Sequence, residues 1–398
     1  MAGEEAPIVN LIAQCLCQAH RFRAGIPHSS LPLEVTYCHC NSCRHVTGAM
    51  YSDILVWPGD STAIRESSLR RYIFSEKLTI LFCGVCSSTM FFEKKEAGDD
   101  NATHGVLTGV LTNVNVPGLA KITDHIFLGD TLDGGASPWL RSVQSDGSQP
   151  RLWKGRKGQS EELPSNWPSG NDLPDAPVST EANEIPIRCH CGGVDLVYRQ
   201  LNAEFAALAR SELPWFIDPD TNKSLGGFDA CDSCRLSSGI DIFHWTFVLL
   251  RHLAFPKLNR EVQPGFPQSS IELKAAVSMG KNRDPRWGTL AFHESSSDVE
   301  RYFCSRCSAC VFYAAHDRPD LVDLAIGLIE SPDGARAEGL VSWDFGGKMI
   351  WRQDVAGGWR EDFIKRVESE AERWRIDRGY PKNWRRIQKE EAAMKMKP

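Results

Sequence analysis

The chain spells one pattern of cysteines twice, and that pattern limits the fold more than any other feature of its 398 residues. A Cys-x-Cys (Cys15, Cys17) is followed by Cys38, Cys40 and Cys43 and then by a Cys-x-x-Cys (Cys83, Cys86). The second half gives Cys189 and Cys191, then Cys231 and Cys234, then Cys304 and Cys307. Flanking residues repeat too: SCRHVTG at 42–48 answers SCRLSSG at 233–239, and LFCGVCS at 81–87 answers YFCSRCS at 302–308. Matched neighbours around matched cysteines define an internal duplication. The offset between copies grows from 174 residues (Cys15 to Cys189) through 191 (Cys40 to Cys231) to 221 (Cys83 to Cys304). The second copy therefore carries inserted loops, and FPKLNREVQPGFPQSS at 255–270 reads as part of one.

Fourteen cysteines suit a disulfide framework only in an oxidising compartment. The start, MAGEEAPIVNLIAQ, places Glu4 and Glu5 where a secretory leader carries positive charge. IFHWTFVLL at 242–250 falls well short of the roughly 20 apolar residues that span a bilayer. The expectation is a cytoplasmic protein, the nucleus left open, with no membrane partner and with cysteines used for metal or thiol chemistry. A formal net charge of -6, and no basic helix after either cluster, speak against a nucleic-acid partner.

Within each copy the pattern is of short strands. EVTYC and YSDILVW flank the first inner cluster, and LRRYIF and LTILFC lead to Cys83. The fold class expected is mainly β, with two tandem zinc-containing domains at 11–140 and 187–357. Residues 141–186, rich in Pro, Gly, Ser and charge, read as a linker. In the tail at 358–398, EDFIKRVESEAERWRIDRG reads as an amphipathic helix with Phe363, Ile364, Val367 and Trp374 near one face. That tail is the place for any protein partner.

Zinc takes four ligands, usually as two short pairs brought together by the fold. The spacing allows Cys83 and Cys86 to join Cys15 and Cys17, leaving Cys38, Cys40 and Cys43 as a three-thiolate group. It also allows, as the less favoured scheme, that they join Cys40 and Cys43, which orphans Cys15, Cys17 and Cys38.

The order Cys-x-Cys, Cys-His-Cys-x-x-Cys-Arg with a following Gly, then Phe-Cys-x-x-Cys resembles the glutathione-dependent formaldehyde-activating (GFA) family, which includes centromere protein V. The resemblance implies a β-tent fold of GFA type, a structural zinc on Cys15, Cys17, Cys83 and Cys86, and a catalytic zinc on Cys38, Cys40 and Cys43. It implies the same structural role for Cys189, Cys191, Cys304 and Cys307, and glutathione as co-substrate. Departures from the family pattern are Gln18, Ser87 and Ser308 where glycine is usual, and FDACDSCR, in which Asp229 replaces the first inner cysteine and Ala230 the histidine. Asp229, Cys231 and Cys234 still offer a harder donor set, so a fourth zinc stays open. Cys310, outside the pattern, reads as a buried free thiol.

Three protein ligands leave zinc an open position, the mark of a catalytic site. Such a centre binds an incoming thiol as thiolate, and the resemblance then implies a carbon–sulfur lyase or synthase acting on a small-molecule thiol adduct of an aldehyde. Arg44 is the candidate for a substrate carboxylate, with bracing of the turn as its other reading. His39 reads as a packed neutral ring or a proton donor, and His45 and His125 receive no role. Gly48 and Gly239 read as turn glycines. The alternative function is a non-catalytic, zinc-stabilised scaffold for protein interaction, in which every site is closed.

Overall fold

The computed structural model describes residues 7–95, 102–169, 184–199, 202–256 and 265–395. The first half contributes β1 (Ile8–Gln14), β2 (Arg21–Pro27), β3 (Leu33–Cys38), β4 (Ser52–Val56), β5 (Arg70–Ser75), β6 (Leu78–Phe82), β7 (Thr89–Lys94), β8 (Thr103–Val106) and β9 (Ala120–Ile126), then β10 (Arg151–Trp153) and β11 (Glu162–Leu163). The second contributes β12 (Ile185–Arg188), β13 (Asp195–Tyr198), β14 (Ser224–Asp229), β15 (Phe243–Leu249), β16 (Leu253–Ala254), β17 (Leu290–Ser296), β18 (Val299–Cys304), β19 (Cys310–Ala315), β20 (Leu321–Ala325) and β21 (Val341–Trp343). The helices are α1 (Asn41–Thr47), α2 (Thr62–Arg65), α3 (Ser137–Leu140), α4 (Asn202–Ala206), α5 (Asp232–Ser238), α6 (Ser270–Ser278), α7 (Arg360–Asp377) and α8 (Trp384–Lys395). Among the described residues none is long and apolar enough to cross a membrane.

The duplication is visible in the strand order. The second half pairs its strands as β17-β18-β19-β20-β15-β14-β21, and the first half runs β5-β6-β7-β8-β4-β3-β9 in the same sense before adding β10 and β11. The parallel contact of β3 with β9 is repeated by β14 with β21.

Two sequence expectations need correction here. Residues 151–163, read as linker, extend the first sheet. The cause is a fully buried carboxylate: Asp124 accepts from Trp153 Nε1 at 2.9 Å and from Lys157 Nζ at 2.6 Å, and Arg151 lies 3.2 Å away. A buried charge requires such partners, so the segment that supplies them is held in place. Residues 170–183 of that stretch, like 257–264 of the expected loop, lie outside the described residues. Nor do the copies keep separate cores: one continuous apolar cluster holds Leu81 and Phe91 from the first half and Val311 and Ile326 from the second.

The halves meet through reciprocal contacts. Gly109 N donates to Gly239 O at 2.8 Å and Gly327 N to Gly48 O at 3.0 Å. Gly48 (φ +79°) and Gly239 (φ +82°) end α1 and α5 in the left-handed region, where L side chains are disfavoured. A Cβ would also fall 2.2 Å from Cys310 O or 2.4 Å from Thr89 O, so these glycines permit both the turn and the seam. Ser87 Oγ donates to Ser308 O at 2.9 Å, and Thr89 Oγ1 to Ser308 Oγ at 2.9 Å.

Helix α7 follows the face read from its sequence: Ile364, Val367 and Trp374 are buried, and Phe363 packs at the edge of the core. Its first residue, Arg360, is fully buried between the halves, pairing with Asp241 Oδ1 at 2.6 Å and donating to Thr108 O. Helix α8, which sequence periodicity did not single out, places Trp384 against Phe216 and Phe247 in a smaller cluster.

Candidate metal centres

Among the described residues four groups of ligand atoms converge, each with its members within 4.8 Å of one another: Cys15/Cys17/Cys83/Cys86, Cys189/Cys191/Cys304/Cys307, Cys38/Cys40/Cys43 and Asp229/Cys231/Cys234. Both outer groups sit where a strand-end Cys-x-x-Cys turn meets a Cys-x-Cys turn. The left-handed positions that close these turns are held by Gln18 (φ 61°), Ser87 (φ 63°), Ser308 (φ 68°) and Gly192 (φ 68°). This explains why glycine suits all four, and three of them carry the strain of a side chain instead.

A tetrahedral zinc with Zn–S near 2.3 Å places its sulfurs about 3.8 Å apart. The outer clusters match: Cys15–Cys17 is 3.6 Å, Cys17–Cys83 3.7 Å, Cys189–Cys191 3.6 Å and Cys191–Cys304 3.5 Å. Backbone N–H groups already point at the sulfurs, from His20 to Cys15 (3.3 Å), Cys17 to Cys86 (3.4 Å), Val194 to Cys189 (3.2 Å) and Cys307 to Cys304 (3.4 Å). Donors so placed stabilise thiolate, the form zinc requires.

The first inner cluster is built on a helix start. Cys38 ends β3, Cys40 is the N-cap of α1 and accepts from Cys43 N at 3.3 Å, and Cys43 lies in the first turn. Cys38 is buried while Cys40 and Cys43 are half-buried. Cys38 Sγ donates to Cys40 Sγ at 3.5 Å, and hydrogen bonds from the neighbouring thiols hold Cys40 well below the usual thiol range. Three sulfurs at this spacing fit zinc and leave it one position beyond the protein's ligands. Ile54, Ile126, Phe127 and Trp153 pack around them.

His39 Nε2 lies 2.8 Å from His125 Nδ1, with both rings fully buried. Burial, reinforced by the adjacent ring, pulls His39 far below the ordinary imidazole range, so it is the packed neutral ring of the sequence reading. His125, given no role from sequence, is its partner. Arg44 is 5% exposed, and its Nη2 donates to Asn41 Oδ1. Among the described residues its Nε and Nη1, both buried, have no hydrogen-bond partner, although its counterpart Arg235 donates to Gly109 O and Leu111 O across the seam. Arg44 lines a hollow of about 300 Å³ with Asn41, His45, Asp130, Glu330 and Ser331.

In the second half Cys231 caps α5 as Cys40 caps α1, accepting from Cys234 N at 3.2 Å, and Asp229 Oδ1 accepts from Cys231 N at 2.7 Å. Cys310 lies outside every cluster, and burial pushes its thiol up to about 12. Sequence reasoning missed Trp153 and Arg301. The first is hidden in a Pro- and Gly-rich stretch, where only the pair Leu152–Trp153 hinted at a strand; the second is an arginine inside VERYFC, where an inward charge was not expected.

The duplicated, mainly β body thus carries, among its described residues, four cysteine-bearing clusters that could hold zinc. Residues 10–130 match the family model described as glutathione-dependent formaldehyde-activating enzyme. The match does not extend to the second half, whose kinship rests on strand order and cysteine placement. No curated protein and no solved structure matches the chain.

Proposed function

We propose that the first half makes or breaks a carbon–sulfur bond between a thiol and an aldehyde, with Cys38, Cys40 and Cys43 holding a catalytic zinc and the two outer clusters holding structural zinc. The observation that carries this reading is the contrast in donor number. The outer clusters converge four sulfurs and the first inner cluster three. A scaffold has no use for an exchangeable position; a lyase depends on one.

Zinc bound there supplies a position at which an incoming thiol is held as thiolate at neutral pH. The chain's own residues do the rest. The cap of α1 fixes Cys40 and Cys43 relative to each other. The neutral His39–His125 pair backs the cluster without adding charge, and Ile54, Phe127 and Trp153 keep water from its flank. Arg44, which lines the neighbouring hollow, takes a substrate carboxylate. In the synthetic direction the thiolate sulfur attacks the aldehyde carbon, the C=O π bond opens onto oxygen, and that oxygen takes up the proton the thiol released. The product is a hemithioacetal; cleavage is the reverse. Glutathione and formaldehyde are the pair that the family match favours.

The test is turnover of S-hydroxymethylglutathione by the full chain and by Cys40→Ser. Loss of turnover with both outer clusters still metal-loaded supports the assignment, and unchanged turnover ends it. Arg44→Met should raise KM for the glutathione adduct far more than for an adduct of mercaptoethanol, which has no carboxylate.

A further inference from the structure

The two inner clusters sit beneath different walls. In the first half the cross-strand ladder Ile80, Phe92, Gly105, Val56 runs over β6, β7, β8 and β4. It is closed by Phe92, whose ring lies so flat on Gly105 that an added Cβ would fall 1.7 Å from it. The matching ladder in β18, β19, β20 and β15 reads Arg301, Tyr313, Asp323, Phe247. Every rung has changed, two of them to charge, and a cavity of about 450 Å³ opens there, reaching Asp229, Cys231 and Cys234.

Arg301 is the centre of that change. It is 6% exposed, donates from Nη1 to Cys234 Sγ at 3.5 Å and from Nε to Ser295 Oγ at 3.3 Å, and lies over the Tyr313 ring at 5.1 Å. Among the described residues its Nη2 has no protein acceptor, and the side chain lines the cavity. The other guanidinium, Arg318, is already engaged by Asp323, with Nη1–Oδ1 at 2.7 Å and Nη2–Oδ2 at 3.0 Å. Flat aromatic surface is also present among the lining residues: Trp245 and Phe247 are buried, and Trp351 is 57% exposed on a left-handed backbone (φ 56°).

We propose that this cavity binds a small monocarboxylate with a flat apolar body, its carboxylate on Arg301 and its body between Trp245 and Trp351. One guanidinium with a single nitrogen, Nη2, left for a ligand suits a single negative charge, and Asp229 and Asp354 on the walls repel a dianion such as phosphate more strongly than a monoanion. Burial strengthens the pairing, since a guanidinium shielded from water gains more from an anion than an exposed one does. Aromatic walls stack on a flat ligand without demanding a particular one. The site is separate from the chemistry proposed at Cys38, Cys40 and Cys43.

Isothermal titration of the full-length protein with phenylacetate tests this, with benzylamine and benzyl alcohol as charge controls. The expected result is saturable binding of phenylacetate alone, weakened at least tenfold in Arg301→Met and partly restored in Arg301→Lys. Trp351→Ala, at an exposed position that folding tolerates, should weaken it severalfold and covers the case in which Arg301→Met does not fold. Equal binding of benzylamine overturns the proposal, as does an unchanged isotherm in Arg301→Met. Binding that survives Arg301→Met but is lost in Cys231→Ser also overturns it, because the carboxylate would then sit on a metal held by the cluster.

Discussion

Arg360→Met separates two kinds of buried charge at the seam between the halves. Thr108 Oγ1 lies 2.6 Å from Asp53 Oδ2 and 2.6 Å from Asp241 Oδ2, and Thr108 N donates to Asp53 Oδ1 at 2.8 Å. A hydroxyl has one proton to give, so one of these carboxyls must itself donate. It is Asp53, whose pKa burial and the Asp241 charge raise well above the carboxylate range. The chain runs from protonated Asp53 through Thr108 to Asp241, which is paired with Arg360. Arg360 is drawn down by burial, and secondarily by Arg235, only to about 10, so it is charged at neutral pH. Removing it leaves Asp241 alone in the interior, a loss of about 3–5 kcal/mol. Asp53→Asn keeps both contacts, accepting from Thr108 N and donating to Oγ1, and should cost less than about 1 kcal/mol. Adding Asp241→Asn to Arg360→Met should recover much of the loss, because no charge is then stranded. Thermal melting of metal-loaded protein at pH 7.5 reads all three variants against the parent. If Arg360→Met melts with the parent, or if Asp53→Asn is the costlier change, the assignment of the proton to Asp53 and of the charge pair to Asp241 is wrong.

Acid should destabilise the chain through its buried imidazoles: burial pulls His125 and His244 down to about 3. Their stabilisation is complete above pH 6.5 and is lost as pH falls towards 3, at up to about 1.4 kcal/mol per pH unit for each ring, since only the unfolded chain takes up the proton. His244→Phe, within the aromatic shell of Phe228, Trp139 and Trp343, should flatten the slope between pH 6.5 and 5 by one ring's share; an unchanged slope would place the sensitivity elsewhere. Gly239→Ala should lose more than about 2 kcal/mol in denaturant titration, from the left-handed backbone and the clash with Thr89 O, whereas Gly192→Ala, with open space around its Cβ, should lose only about 1. Elemental analysis of protein purified without added metal or chelator should give three or four zinc per chain, and a value of two would leave the first inner cluster without the metal its proposed chemistry needs.

The repeat, the strands around each cluster and the face of α7 were legible because cysteine spacing and hydrophobic alternation are local signals. The convergence of Cys15 and Cys17 with Cys83 and Cys86 was one of two arrangements that spacing allowed; choosing between them took the tertiary packing that sets the β1–β2 turn against the β6–β7 turn of a different sheet. What stayed hidden depends on partners remote in sequence. Nothing local marks Trp153 and Lys157 as strand and brace until Asp124 is known to be buried beneath them. Arg301 reads as an exposed alternate in a strand until Cys234, 67 positions earlier, is placed beside it. The shared core was equally unreadable, because two adjacent cores and one fused core need the same apolar composition.

The seam carries one more consequence. Two identical subunits meeting as these halves do would present every substitution on both sides of their axis. Here the positions matching Asp53, Thr108 and Asp241 are His244, Ile326 and Met50, so one end of the seam is ionic and the other is apolar and aromatic. In a symmetric pair each of those residues would have to serve in both settings at once. Joining the copies in one chain releases them from that double duty, so that one cluster can keep its three sulfurs while its twin exchanges a sulfur for a carboxylate and acquires an arginine.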